Sequence, residues 1–202
     1  MPQVSAQEFA RLPLRVHGFL ADVPLHDVWE VDLPRTRSGI TLDEFLRAEK
    51  VHRCRLSPSA RALLSVRLSI GRLFGWDRAP AATACETFAT RITTVDCSKT
   101  LVPTGAPEGL FRVVYRFENE QLLELINRTA HAAALSALVE TADAYRFYFG
   151  VYVRNVSRFT PVYMSLIDPF RKHIVYPAML RDPHDVGQNL RCGLMYYDMI
   201  GR

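Results

Sequence analysis

The chain is predicted to be a mixed α+β domain: an antiparallel sheet curved around a long C-terminal helix. Three observations predict it. The first half carries helical periodicity with capping signals. The stretch from Phe111 to Val156 switches to a period of two. After it, Thr160-Pro161 opens one last apolar helical stripe. With 202 residues and 49% hydrophobic side chains, about 70% of the unfolded surface can be buried, so a single core forms without metals or disulfides.

Residues 1–25 read as a peripheral arm, 26–183 as the domain, and 184–202 as a tail. The segment His26–Leu33 alternates Val28, Glu30 and Asp32 with Trp29, Val31 and Leu33, which predicts a first strand ended by Pro34. Thr41 followed by Glu44 is a capping box for a helix over about 42–50. Ser57-Pro58 starts a second helix that stops near Gly75. A short strand is expected near 89–96. Further strands are expected at 111–118, 121–127, 132–140 and 145–156, joined by hairpin links such as Thr141-Ala-Asp143.

In the last strand Tyr145, Phe147, Phe149, Val151 and Val153 face one way, and Tyr148 and Tyr152 the other. The closing helix, about 161–181, offers Tyr163, Leu166, Ile167, Phe170 and Ile174 as its stripe, with Pro169 expected to kink it. An apolar sheet face needs a cover, and this helix is the long element left to supply it. The arrangement is that of helix-grip, or START-like, folds, in which a cavity often remains between sheet and helix.

The segment Tyr145–Arg181 resembles the end of the domain of unknown function 2867 family. The residues that carry the likeness are the strand itself, the Thr160-Pro161 helix start, the Ile167-Asp168-Pro169-Phe170 core and the Ile174-Val175 close. His17–Leu33 is a second, looser match. The resemblance implies a helix-grip fold. It implies no activity, and some members are fused to short-chain dehydrogenase-like domains. Many members carry an Asp-Asp-Arg-His type of cluster before the penultimate strands. Here that region reads Glu124-Leu-Ile-Asn-Arg-Thr-Ala-His131, without the acidic pair.

Several function classes find no support. There is no GxGxxG, GxxxxGK[ST], HExxH or GxSxG pattern and no CxxC pair, so no cofactor and no metal is expected. Nucleic-acid binding is not expected, because the net charge of +4 comes from 22 arginines and three lysines dispersed along the chain. No run of about 18 apolar residues predicts a membrane span. Cys54, Cys85, Cys97 and Cys192 are expected to be unpaired thiols in a cytoplasmic protein.

Five residues are singled out as ligand-binding. His131 opens a strand beside small residues and, near Glu124, has the pKa range of a general base; the plainer reading is a strand-end histidine bonded to backbone. Asp168 precedes the proline of the last helix; it either faces a cavity or pairs with Arg171 or Lys172. Tyr148 and Tyr152 either line a pocket or pack in the core. The expected function is binding of a small, largely apolar ligand between sheet and C-terminal helix. The rivals are an enzyme of the same fold using acid/base chemistry, and a dimerising interaction module. Val175, Met179, Leu194, Met195, Tyr196, Tyr197 and Ile200 have no evident core slot, which predicts either a two-fold dimer or a tail folded back over the last helix of its own chain.

Overall fold

A computed structural model describes residues 2–34, 38–53, 86–127, 130–156, 158 and 160–172. The expected helix after Ser57-Pro58, the last helix beyond Lys172, the tail with its dimer contacts, and Cys54, Cys85 and Cys192 lie outside the described residues. So do the side chains of Tyr163 and Phe170.

The described elements begin with two single helical turns, α1 (Ala6–Phe9) and α2 (Val16–Phe19), then β1 (Leu25–Pro34) and α3 (Leu42–Arg53). A 3-10 turn (Phe88–Arg91) and α4 (Thr94–Lys99) precede β2 (Pro107–Glu108), β3 (Phe111–Arg116), β4 (Glu120–Ile126), β5 (His131–Glu140), β6 (Ala144–Arg154) and α5 (Thr160–Phe170). The six strands form one open antiparallel sheet in the order β1-β6-β5-β4-β3-β2. The order follows from hairpin joins between consecutive strands β2 to β6, while β1 returns to pair with β6. Register shifts between Leu25 and Asp27 and between Val113 and Tyr115 bend the strands there.

The period-two segments are strands as their alternation predicts, and the capping box at Thr41 forms. Thr41 Oγ1 accepts from Glu44 N at 3.3 Å, and Glu44 Oε2 accepts from Thr41 N at 3.2 Å. The segment near 89–96 is not a strand. The side chain of Thr93 accepts from Asp96 N at 3.1 Å, a local cap that starts α4 where β-prone residues suggest extension.

Both faces of the sheet carry core. On one face Val28, Leu122, Ala133, Leu135, Ala137, Tyr148 and Tyr152 pack with Phe88 and with Phe9, Leu14, Val16, Leu20 and Val23 of the N-terminal segment. On the other, α3 sets Leu42, Phe45 and Leu46 on Val31, Leu33, Leu138, Tyr145 and Phe147. Beyond them α5 sets Met164 on Val153 and Ala130, with Ile167 beside it. Tyrosines make this possible: Tyr148 and Tyr152 sit at alternate positions that a polar reading sends to solvent, yet each buries its ring.

The phase of α5 differs from the expected stripe. Leu166 is 63% exposed, whereas Thr160 and Met164 are buried and Ile167 is half-buried. Thr160 Oγ1 accepts from Val156 N at 3.2 Å, and Asp168 is held toward β1, so polar anchors at both ends rotate Leu166 outward. Pro169 sits within the helix, which continues to Phe170. Among the described residues no helix is long and apolar enough to cross a membrane.

Candidate functional site

The five residues singled out from the sequence occupy two regions on opposite faces. Glu124, His131, Tyr148 and Tyr152 belong to the face covered by the N-terminal segment, whereas Asp168 lies on α5 across the sheet.

Glu124 and His131 meet because of register. His131 pairs with Ile126 and Ala133 with Glu124, so the two residues are diagonal neighbours on one face of the β4–β5 hairpin. Asn127 tightens the link: its Oδ1 accepts from Ala130 N at 2.9 Å, and its own N donates to Ala130 O at 3.0 Å. His131 Nε2 lies 2.6 Å from Glu124 Oε1, and the same oxygen accepts from Phe88 N at 2.5 Å. The Phe88 ring stacks on the imidazole at 3.9 Å between centroids. Above Phe88 lie the guanidinium groups of Arg91 at 5.4 Å and Arg154 at 5.2 Å, and both arginines bind Asp22. The hydrogen bond from Arg91 holds the Asp22 carboxyl well below the usual carboxylate range. His131 is fully buried, so the pair sits beneath a ring and a layer of cations rather than at an opening.

Tyr152 and Tyr148 are buried in the same face's core. Burial pushes the Tyr152 phenol well up, and the nearby Glu120 charge adds to it. Burial likewise raises Tyr148. Glu120 is a buried anchor that sequence reasoning missed. Its carboxylate accepts from Arg15 N at 2.7 Å, Val16 N at 2.9 Å and Tyr115 Oη at 2.5 Å, tying the start of α2 to the sheet. Phe88 and Arg116 were missed too. Arg116 is buried and bridges Gln121, Asp43 and Glu108. Some of these partners, Arg15, Val16 and Asp43, come from distant segments, and the others meet only through the pairing of β2, β3 and β4.

The second region joins β1 to α5. His26 Nε2 is 2.9 Å from each carboxylate oxygen of Asp168 and 3.9 Å from Asp27 Oδ2. Arg171 spans both acids, with Nη1 3.0 Å from Asp168 Oδ1 and Nη2 3.4 Å from Asp27 Oδ2. Asp168 therefore does pair with Arg171, and in the same place it meets His26. The side chain of Asp27 is 1% exposed, while the other three are partly open to solvent. One ligand atom from each of His26, Asp27 and Asp168 lies within 4.8 Å of the others, a donor set that can hold a metal ion.

Between the clusters under α3 and α5 the same face carries an apolar lane, whose Trp29, Phe149 and Val151 pack against the α3 cluster and Ala132 and Val151 against the α5 cluster. Across it run the pairs Trp29↔Phe149↔Ser136 and, one row on, Asp27↔Val151↔Ala134. Trp29, Phe149, Val151 and Ala134 are each half-buried, whereas Phe147 and Val153 under the two helices are buried. β5 contributes only small side chains here, Ala132, Ala134 and Ser136.

The family model described as "Protein of unknown function (DUF2867)" matches residues 19–178, which takes in β1, β6, α5 and all five residues singled out from the sequence. No curated protein matches the chain, and no solved structure matches it.

Proposed function

We propose that this chain, which belongs to the family of proteins of unknown function DUF2867, binds a small, largely apolar ligand on the sheet face that carries α5. The observation that carries this reading is the lane between α3 and α5. There Trp29, Phe149 and Val151 stay half-buried beside the small side chains of Ala132, Ala134 and Ser136. Sites for small apolar molecules are concave and mainly apolar, with a few polar groups that fix orientation. Small residues stand between larger neighbours here, which is the pattern such a site would need, and Ser136 adds a hydroxyl on the same face. Tyr148 and Tyr152 belong to the opposite core and support the fold rather than the ligand.

The short Glu124–His131 pair favours a second reading, acid/base chemistry. Against it stands the burial of His131 under Phe88, which supports a packing role for the pair.

Fluorescence titration of the full chain with anilinonaphthalene sulfonate tests the first reading. The wild type is expected to bind the probe saturably, one per chain. Ala134→Phe, which fills the lane, is expected to weaken binding at least about tenfold, a change of about 1.4 kcal/mol. Equal binding by a folded Ala134→Phe chain would remove the lane as the site.

A further inference from the structure

We infer that His26, Asp27 and Asp168 form a site for one divalent transition-metal ion, of the zinc or manganese kind, at the junction of β1 and α5. Imidazole and carboxylate together suit zinc or manganese, whereas calcium and magnesium take oxygen donors.

The spacing of two of the donors fits such an ion. Donors about 2.1 Å from a metal are about 3.0 Å apart when they subtend a right angle and about 3.4 Å apart in a tetrahedron. The separations of His26 Nε2 from the two Asp168 oxygens, 2.9 Å each, are those of adjacent ligands. Asp27 Oδ2 lies 3.9 Å from His26 Nε2, and the three donors lie within 4.8 Å of one another, so Asp27 turns inward for its carboxylate to join them.

Two of the donors are carboxylates that Arg171 joins, and one of them, Asp27, has a side chain only 1% exposed. A buried carboxylate is costly unless its charge is balanced. A divalent ion balances both acids, and Arg171 then serves as the outer partner that orients them, a role that supporting groups commonly take around metal ligands. Without metal, Arg171 supplies the countercharge in the same place.

The donors come from two elements separated by 142 residues in sequence. Metal binding therefore fixes α5 against β1, beside the apolar lane but independently of whether the lane holds a ligand.

The test is calorimetric titration of the metal-stripped full chain with Zn²⁺ and, separately, Mn²⁺. At least one metal is expected to bind one per chain. His26→Ala and Asp168→Asn, both at partly exposed positions, are each expected to weaken that binding by more than about a hundredfold, since losing even an outer partner costs up to about that much. Circular dichroism verifies that these variants are folded; Asp27→Asn, at a buried position, is not needed for the conclusion. Absence of binding by both the wild type and Arg171→Met, in which the competing cation is gone, overturns the site and leaves a salt-bridge clamp. Binding that is unchanged in folded His26→Ala and Asp168→Asn overturns it equally.

Discussion

His131 Nε2 lies 2.6 Å from Glu124 Oε1, on a diagonal of the β4–β5 hairpin, with both side chains buried. The carboxylate also caps Phe88 N, so one oxygen ties the 3-10 turn to the sheet. Glu124→Ala removes the oxygen that Phe88 N and His131 Nε2 share and is expected to lose about 1–3 kcal/mol in urea denaturation. Glu124→Gln keeps an oxygen in place for both donors and is expected to lose markedly less. Equal losses in the two variants would mean that the bonds do not hold the turn.

The buried phenols make stability depend on alkaline pH. Burial raises the Tyr115 phenol well above its ordinary value near 10, helped by the Glu120 charge, and Tyr152 is raised in the same sense. A raised folded-state pKa means that the fold prefers the protonated phenol. The contribution is then complete below the unfolded value of about 10 and is lost as pH rises through the folded one. Stability followed from about pH 7 to about pH 11 is expected to fall steeply only beyond about pH 10. Tyr115→Phe removes its bond to Glu120, costs about 1.5–3 kcal/mol at neutral pH and makes the alkaline fall shallower.

The helices contribute unequally. Phe45 of α3 is buried against Phe147, with ring centroids 4.9 Å apart, so Phe45→Ala is expected to cost about 3–5 kcal/mol. Leu166 of α5 points to solvent, and Leu166→Ala is expected to change stability by less than about 0.5 kcal/mol. Chemical denaturation of the two variants checks the phase of α5 directly: a large loss at Leu166 would return it to the core.

Loss of the capping box is expected to be modest. Thr41→Ala removes the acceptor for Glu44 N at the start of α3 and is expected to cost about 1 kcal/mol in urea denaturation. A cost near zero would mean that packing of Leu42 and Phe45 alone sets where the helix begins.

What the sequence made legible was local. Alternation marked β1 and β3 to β6, Thr41 and Glu44 marked α3, and Thr160-Pro161 marked the start of α5. The segment Tyr145–Arg181 also indicated the family that the match over residues 19–178 establishes. What was hidden depends on partners far along the chain. The outward turn of Leu166 follows from Asp168 meeting His26, and the burial of Tyr148 and Tyr152 follows from Phe9 and its neighbours packing on their face. The turn and short helix at 88–99 replaced an expected strand because one threonine side chain capped a backbone N–H. The Glu124–His131 meeting was half-legible: the two residues are visible in sequence, but only the hairpin register brings them together.

Occupancy of the lane between α3 and α5 by an apolar ligand is open to native mass spectrometry of the full chain purified from its own host. A retained small molecule is expected, one per chain, released on denaturation and missing from folded Ala134→Phe. A wild-type mass equal to that of the polypeptide alone, with no probe binding in the lane on titration, would contradict it.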